Sequence, residues 1–205
     1  MFITDVFGWQ FNNSRVLADK YAQEAGVKVY IPDFFDGDHA PYDKEALASF
    51  DVMGFIGKHH PRQVFDRVET VAKEIKATSK AKKLISIGFC WGAPSALYLG
   101  RENGVADAVG FAHPSLTEDV DFEQLTKPAL FLTSEHDSIF TPEKFESAKR
   151  ITSTKANKEP RVYTSWHTFM GTSHGFAVRG DENDSYTARA MSDACAIACN
   201  FFKSI

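Results

Sequence analysis

The chain has 205 residues, of which 43% are hydrophobic and 24% charged, a size and balance that suit one globular domain around a single core. Its formal net charge is −4, and its 23 Lys and Arg are interspersed with 27 Asp and Glu, so no basic surface points to a nucleic-acid partner. No apolar stretch approaches the roughly 20 residues of a membrane span, and the start of the chain lacks the basic and long apolar regions of a signal peptide. The expectation is a cytoplasmic protein with neither membrane nor nucleic acid among its partners, and with monomer and homodimer both open.

In chain order, short apolar runs alternate with amphipathic segments. Candidate strands are residues 2–6, 27–31, 83–89, 107–112, 129–135 and 161–166, most of them continuously apolar, as strands covered on both faces are. Asn12 or Asn13 is placed to cap a helix that closes near Gly26. Residues 33–60 mix aromatics, glycines and charges, and predict a loop with a short helix folded over one end of the sheet. Pro61 opens a helix marked by Val64, Val68, Val71 and Ile75, Thr141 and Pro142 open another, and Tyr186, Ala190, Ala194, Ile197 and Phe201 mark a last one. A β-α order of this kind implies a mostly parallel central sheet, right-handed crossovers and helices on both faces.

Three cysteines, Cys90, Cys195 and Cys199, are too few for a disulfide scaffold, and their odd number leaves one free. Cys195 and Cys199 share a helix face at a spacing of four and read as small buried residues. Neither a metal nor another cofactor is expected, because no second ligand pair accompanies them.

The sharpest signal is Gly88-Phe89-Cys90-Trp91-Gly92, between an apolar strand and a helical pattern that starts near Ala93. It follows the nucleophile-elbow pattern G-x-S-x-G with sulfur in place of oxygen. The strand turns into the helix so tightly that side chains at the flanking positions would clash. A free thiol has a pKa of about 8.5, so it needs help to act as a nucleophile at neutral pH. His174, in a glycine-flanked loop after the last strand, is the expected base, and Asp137, just past another strand, the residue that orients it. Glu135 is the alternative acid. The order Cys90, Asp137, His174 is that of nucleophile, acid and base in an α/β-hydrolase fold. A strand that starts directly after Met1 implies that the first strands of that fold are lacking. Backbone N–H groups of Trp91 and Val6 are the expected oxyanion donors.

The chain resembles the dienelactone hydrolase family, in particular its fungal members, over nearly its whole length. Residues 5–9, Pro32-Asp33-Phe34-Phe35, residues 88–93, residues 134–137 and Ser173-His174-Gly175-Phe176 carry the match. The resemblance implies a cysteine hydrolase of cyclic enol esters whose thiol is gated by a carboxylate near the N-terminal strand. That carboxylate is usually Glu; here it is Asp5, one methylene shorter. It also implies an arginine for a substrate carboxylate, for which Arg179 is the nearest candidate, with Lys58 or His59 as stand-ins for a second. Phe34 and Phe176 are expected to line a site for flat rings. Class I glutamine amidotransferases also use an elbow cysteine but carry Glu two residues after their histidine, where this chain has Phe176. The alternative from another class is a non-catalytic or redox-sensing protein that keeps the fold and oxidises Cys90 reversibly.

Overall fold

The computed structural model describes residues 1–205. In chain order it contains β1 (Phe2–Ile3), α1 (Asn12–Ala25), α2 (Lys44–Ala48), α3 (Val52–Lys58), α4 (Phe65–Ser79), β2 (Ile85–Phe89), α5 (Ala93–Leu99), β3 (Ala108–Ala112), α6 (Asp119–Glu123), β4 (Ala129–His136), α7 (Pro142–Ala156), β5 (Thr164–Ser173), α8 (Phe176–Arg179) and α9 (Ser185–Ser204). The five strands form one sheet in the order β1-β2-β3-β4-β5, parallel throughout. Each connection carries its helix onto a face of the sheet, as expected from the alternating pattern.

Side-chain alternation along the strands divides the apolar interior into two layers. Ile3, Val109, Phe111, Ala129 and Phe131 face the layer that holds Val68, Ala96, Phe122 and Ile151. Phe2, Ile87, Phe89, Ala108, Leu130 and Leu132 face the layer that holds Leu17, Phe176, Ala194 and Phe201. Both faces of the sheet are therefore buried, which is why the strands read as unbroken apolar runs. No helix is long and apolar enough to cross a membrane.

Several sequence expectations are corrected. Residues 27–31 form no strand: Phe2 N–H donates to Tyr30 O at 2.8 Å, and β1 is too short to carry a ladder along its outer edge. β1 stops at Ile3 because the Asp5 carboxylate accepts the Phe7 N–H two residues on and turns the chain. The last strand starts at Thr164, since Val162 N–H is drawn to Lys155 O at the end of α7, and it runs on through Ser173. Phe11 is the N-cap of α1 and makes no side-chain cap, while Asn13 donates to Val178 O. Gly26 does close α1, at φ 68°. Residues 33–60 hold two short helices, α2 and α3, each capped by an aspartate, Asp43 and Asp51.

Candidate active site

Cys90 follows β2 directly, at φ 48°, a left-handed conformation that a non-glycine residue adopts only when its surroundings impose it. They do so here by close packing. A Cβ on Gly88 would collide with the Gly92 carbonyl, and one on Gly92 would collide with the carbonyl of Ile3. The elbow is thus wedged against the end of β1, two residues before Asp5 and three before Val6. A single 3-10 turn, Cys90–Gly92, then leads into α5.

His174 and Asp137 come from the ends of β5 and β4. His174 Nδ1 lies 2.8 Å from Asp137 Oδ2. Gly175, at φ 90°, makes the turn that separates the imidazole from α8. Ser134 Oγ donates to Asp137 Oδ2 at 3.1 Å, and the backbone N–H groups of Ile139 and Phe140 donate to Oδ1 at 2.9 Å each. Burial works to raise the Asp137 pKa, but the hydrogen bonds from His174 and those two N–H groups outweigh it and bring the carboxyl down to about 2. Burial works to lower the His174 pKa, but the hydrogen bond to Asp137 and the proximity of the Cys90 sulfur raise it to about 9. His174 Nε2 is buried with no hydrogen-bond partner. The alternative acid, Glu135, accepts the Gly171 N–H at 2.7 Å and makes no bond to His174.

The remaining residues singled out in the sequence fall in varied places. Asp5, 1% exposed, makes no bond to Cys90. One of its oxygens accepts the Phe7 N–H, and the other receives Arg179 Nε at 2.8 Å. Burial pushes the Asp5 carboxyl above its ordinary value, against the pull of Arg179. The Arg179 guanidinium also lies over the Phe7 ring, 4.9 Å from its centre. Trp91 is fully buried against Phe35 and donates its indole N–H to His59 O, which ties residues 33–60 to the elbow. Lys58 and His59 both bond Asp38, at 2.7 and 2.9 Å. Phe34 and Phe176 are core side chains, each 3% exposed and in opposite layers of the interior.

Two further residues reach the site from the end of β3. Cys90 Sγ donates to Ser115 Oγ at 3.4 Å, and Ser115 N–H donates to Cys90 O at 3.1 Å. His113, fully buried at φ 38°, packs edge-on against His174 with ring centres 5.2 Å apart. Burial, then the charges of His174 and Arg179, hold the His113 pKa well below its usual value, so it is a neutral ring. The sequence signal for both was available: a Phe-Ala-His-Pro segment closes the strand beside the elbow strand.

Other clusters lie elsewhere. Glu24, Cys195 and Cys199 each bring one possible ligand atom within 4.8 Å of the others, but burial raises the pKa of both thiols, that of Cys195 to about 12, against the deprotonation that ligation requires. An apolar cleft of about 460 Å³, lined by Met1, Phe2, Tyr21, Tyr30, Ile85 and Phe202, sits at the amino ends of the strands. Ligands in open parallel sheets bind at the carboxyl ends, where Cys90, Asp137 and His174 converge.

Comparisons with known proteins bear on the family and the fold. A model of the dienelactone hydrolase family matches residues 1–205. Hydrolase tropI of Talaromyces stipitatus is 31% identical over 212 residues, covering 98% of this chain and 79% of that protein. The human carboxymethylenebutenolidase homolog is 29% identical over 183 residues, covering 89% and 72%. Among solved structures, a dienelactone hydrolase-like promiscuous phosphotriesterase from metagenomic libraries superposes with a TM-score of 0.72 at 19% identity, over 99% of this chain and 84% of that one; it bears on the fold alone. With the family model matching from the first residue to the last and an elbow cysteine at the head of the sheet, this chain belongs to the dienelactone hydrolase family and is a hydrolase acting on ester or lactone bonds.

Proposed function

We propose that Cys90 is the nucleophile and that hydrolysis proceeds through a thioester. The thiol proton passes to His174 Nε2, the sulfur attacks the ester carbonyl carbon, and the protonated imidazole delivers the proton to the leaving alkoxide or enolate. Water, deprotonated by the same imidazole, then attacks the thioester, and the returned proton restores the thiol. Asp137 fixes the tautomer by holding Nδ1–H and stabilises the imidazolium. Trp91 N–H and Val6 N–H serve the developing oxyanion. The observation that carries this reading is the His174–Asp137 bond at 2.8 Å, with the Cys90 sulfur near enough to help raise the His174 pKa to about 9: an imidazole oriented by the carboxylate that shares a proton with the thiol.

The substrate is a small ester or lactone. Arg179 would anchor a carboxylated one, and because Arg179 is engaged by Asp5, that carboxylate has to compete with Asp5 for the guanidinium. On this reading Asp5 acts through Arg179 instead of through the thiol. Phe34 and Phe176, both core residues, shape the walls from behind. The single domain, residues 1–205, works in the cytoplasm, a reducing compartment that suits three free cysteines.

The test is hydrolysis of dienelactone and p-nitrophenyl acetate by the wild type, Cys90→Ala and His174→Ala at several pH values. Activity that disappears in both variants is the expected result. A folded wild type that turns over no ester but oxidises reversibly at Cys90 would replace this reading with a redox-sensing one.

A further inference from the structure

We infer that His113 is a positioning residue for the reaction: its buried, uncharged imidazole steadies the positive charge that His174 takes on when Cys90 gives up its proton. The inference rests on the reading of Cys90 as nucleophile and His174 as base. It goes beyond that reading by naming a residue other than Asp137 on which the charge of the base depends.

His113 holds its place at a cost. It precedes Pro114, a position that favours extended backbone, yet it is left-handed at φ 38°, with its N–H donating to Leu132 O at 2.8 Å. Its side chain is fully buried, and the rings of Phe89, His174 and Phe176 surround it with centres 5.9, 5.2 and 6.0 Å away. Neither of its ring nitrogens has a hydrogen-bond partner, a costly state for a buried polar group. Packing between Phe89 and Phe176 does not call for nitrogen, since a phenylalanine would fill the same space without that cost. Of the three rings around His113, only His174 changes charge.

An imidazole without a charge still carries a dipole, and one of its two nitrogens is unprotonated and electron-rich. Burial and the neighbouring charges of His174 and Arg179 oppose a second proton on His113. Its own backbone carbonyl also acts on the ring and favours the N–H on the nitrogen beside it, which leaves the other nitrogen unprotonated. In a dry interior the attraction between such a ring and an imidazolium centred 5.2 Å away is little screened. The other titratable or charged groups at the two rings are Asp137 at the end of β4, Asp5 beyond β1, Arg179 on α8 and the Cys90 thiol. Asp137 and Cys90 favour the proton on His174, and His113 adds a contribution that brings no charge of its own.

The test is the titration of His174 by NMR of the histidine ring nitrogens, with its signals identified by their loss in His174→Gln. His113→Phe keeps a ring of similar shape but has no dipole or free nitrogen. It is expected to weaken proton binding at His174 about fivefold, the factor of one polar contact of ordinary net strength, while remaining about as stable as the wild type. Its kcat on p-nitrophenyl acetate should fall by about the same factor with KM unchanged, since the contact gains strength only as the charge forms. His113→Gln, which restores a neutral acceptor without a ring, should bind the His174 proton more tightly than His113→Phe does. A His174 titration in His113→Phe that matches the wild type overturns the inference. Weaker proton binding accompanied by a loss of stability also overturns it, because the ring would then only fill space. The titration needs no ester turnover. If the wild type hydrolyses nothing but the titration pattern holds, the action of His113 on His174 stands and the hydrolytic assignment of the site falls; hydrolysis that depends on Cys90 and His174, with no shift in His113→Phe, does the reverse.

Discussion

Cys90 on one side and Cys195 and Cys199 on the other are buried to nearly the same degree, 7%, 6% and 2% exposed, yet their surroundings differ in every other respect. Cys195 and Cys199 sit one turn apart inside α9, in regular helical backbone and against α1, where burial raises their pKa. They behave as small apolar side chains. Cys90 sits in a left-handed turn at a strand end, with Ser115 Oγ on its sulfur and an imidazole of raised pKa beside it. Burial alone thus says little about whether a cysteine reacts. Backbone geometry that projects the thiol off an element, and a base held at the right place by a third residue, make the difference.

The largest expected effect removes the third residue. Asp137→Asn keeps the shape but loses the charge that holds Nδ1–H and favours the imidazolium, and turnover on p-nitrophenyl acetate should fall about 10⁴-fold, by analogy with other triads. Glu135→Gln, two residues before Asp137 and bonded to Gly171 N–H, should stay within about threefold. Equal effects of the two variants would show that no single carboxylate orients His174. Next comes the backbone. Gly92→Ala drives a methyl into the Ile3 carbonyl, neither of which is on a flexible side chain, so the elbow and β1 have to separate. A loss of about 3 kcal/mol or more is expected, read as a drop in denaturant midpoint. A variant as stable as the wild type would mean that the elbow relaxes without strain, and Cys90 would lose the constraint that sets it apart from the α9 cysteines.

The elbow and the order of the triad were legible because they are written in local rules. Two glycines around Cys90 answer to the sterics of one turn, and chain order follows strand order when the sheet is wound β1 to β5 in sequence. What was not legible depends on partners far along the chain. Asp5 and Arg179 meet across 174 positions, and neither residue signals in its own neighbourhood that it is spoken for. Residues 27–31 have the composition of a strand, but strand formation needs a partner edge, and β1 offers two residues. His113 and Ser115 stood in view beside a strand-ending proline, yet a histidine in a loop is usually a surface residue. Only the pairing of β2 with β3 brings that loop against the elbow. Phe34 and Phe176 show the same limit in reverse, since an aromatic that lines a site and one that backs it look alike in sequence.

The pH dependence of stability sharpens the contrast further. His174 is raised to about 9 from 6.5, so its contribution is complete below about pH 6.5 and is lost as pH rises through 9. Asp137 is lowered to about 2 from 3.8, so its contribution is complete above about pH 3.8 and is lost as pH falls through 2. His174→Gln should therefore melt closer to the wild type at pH 9.5 than at pH 6, the gap changing by roughly 5 °C. A gap that is constant with pH would mean that the imidazole carries no extra proton in the folded state.

The smallest effect falls on the other cysteines. Cys195→Ala and Cys199→Ala each remove one sulfur from the packing between α9 and α1, where Tyr21 and Phe202 meet edge to face at 5.2 Å and can close part of the space. Each should cost about 1 kcal/mol of stability and leave ester turnover unchanged, because no bond connects α9 thiols to Asp137, His174 or Ser115. The informative outcome is the opposite one. If Cys195→Ala slowed turnover without loss of stability, a coupling would have to run from α9 through α8 to the Gly175 turn and His174. The two regions would then be one functional unit, and the distinction between a packed thiol and a reactive one would rest on more than the immediate surroundings of the sulfur.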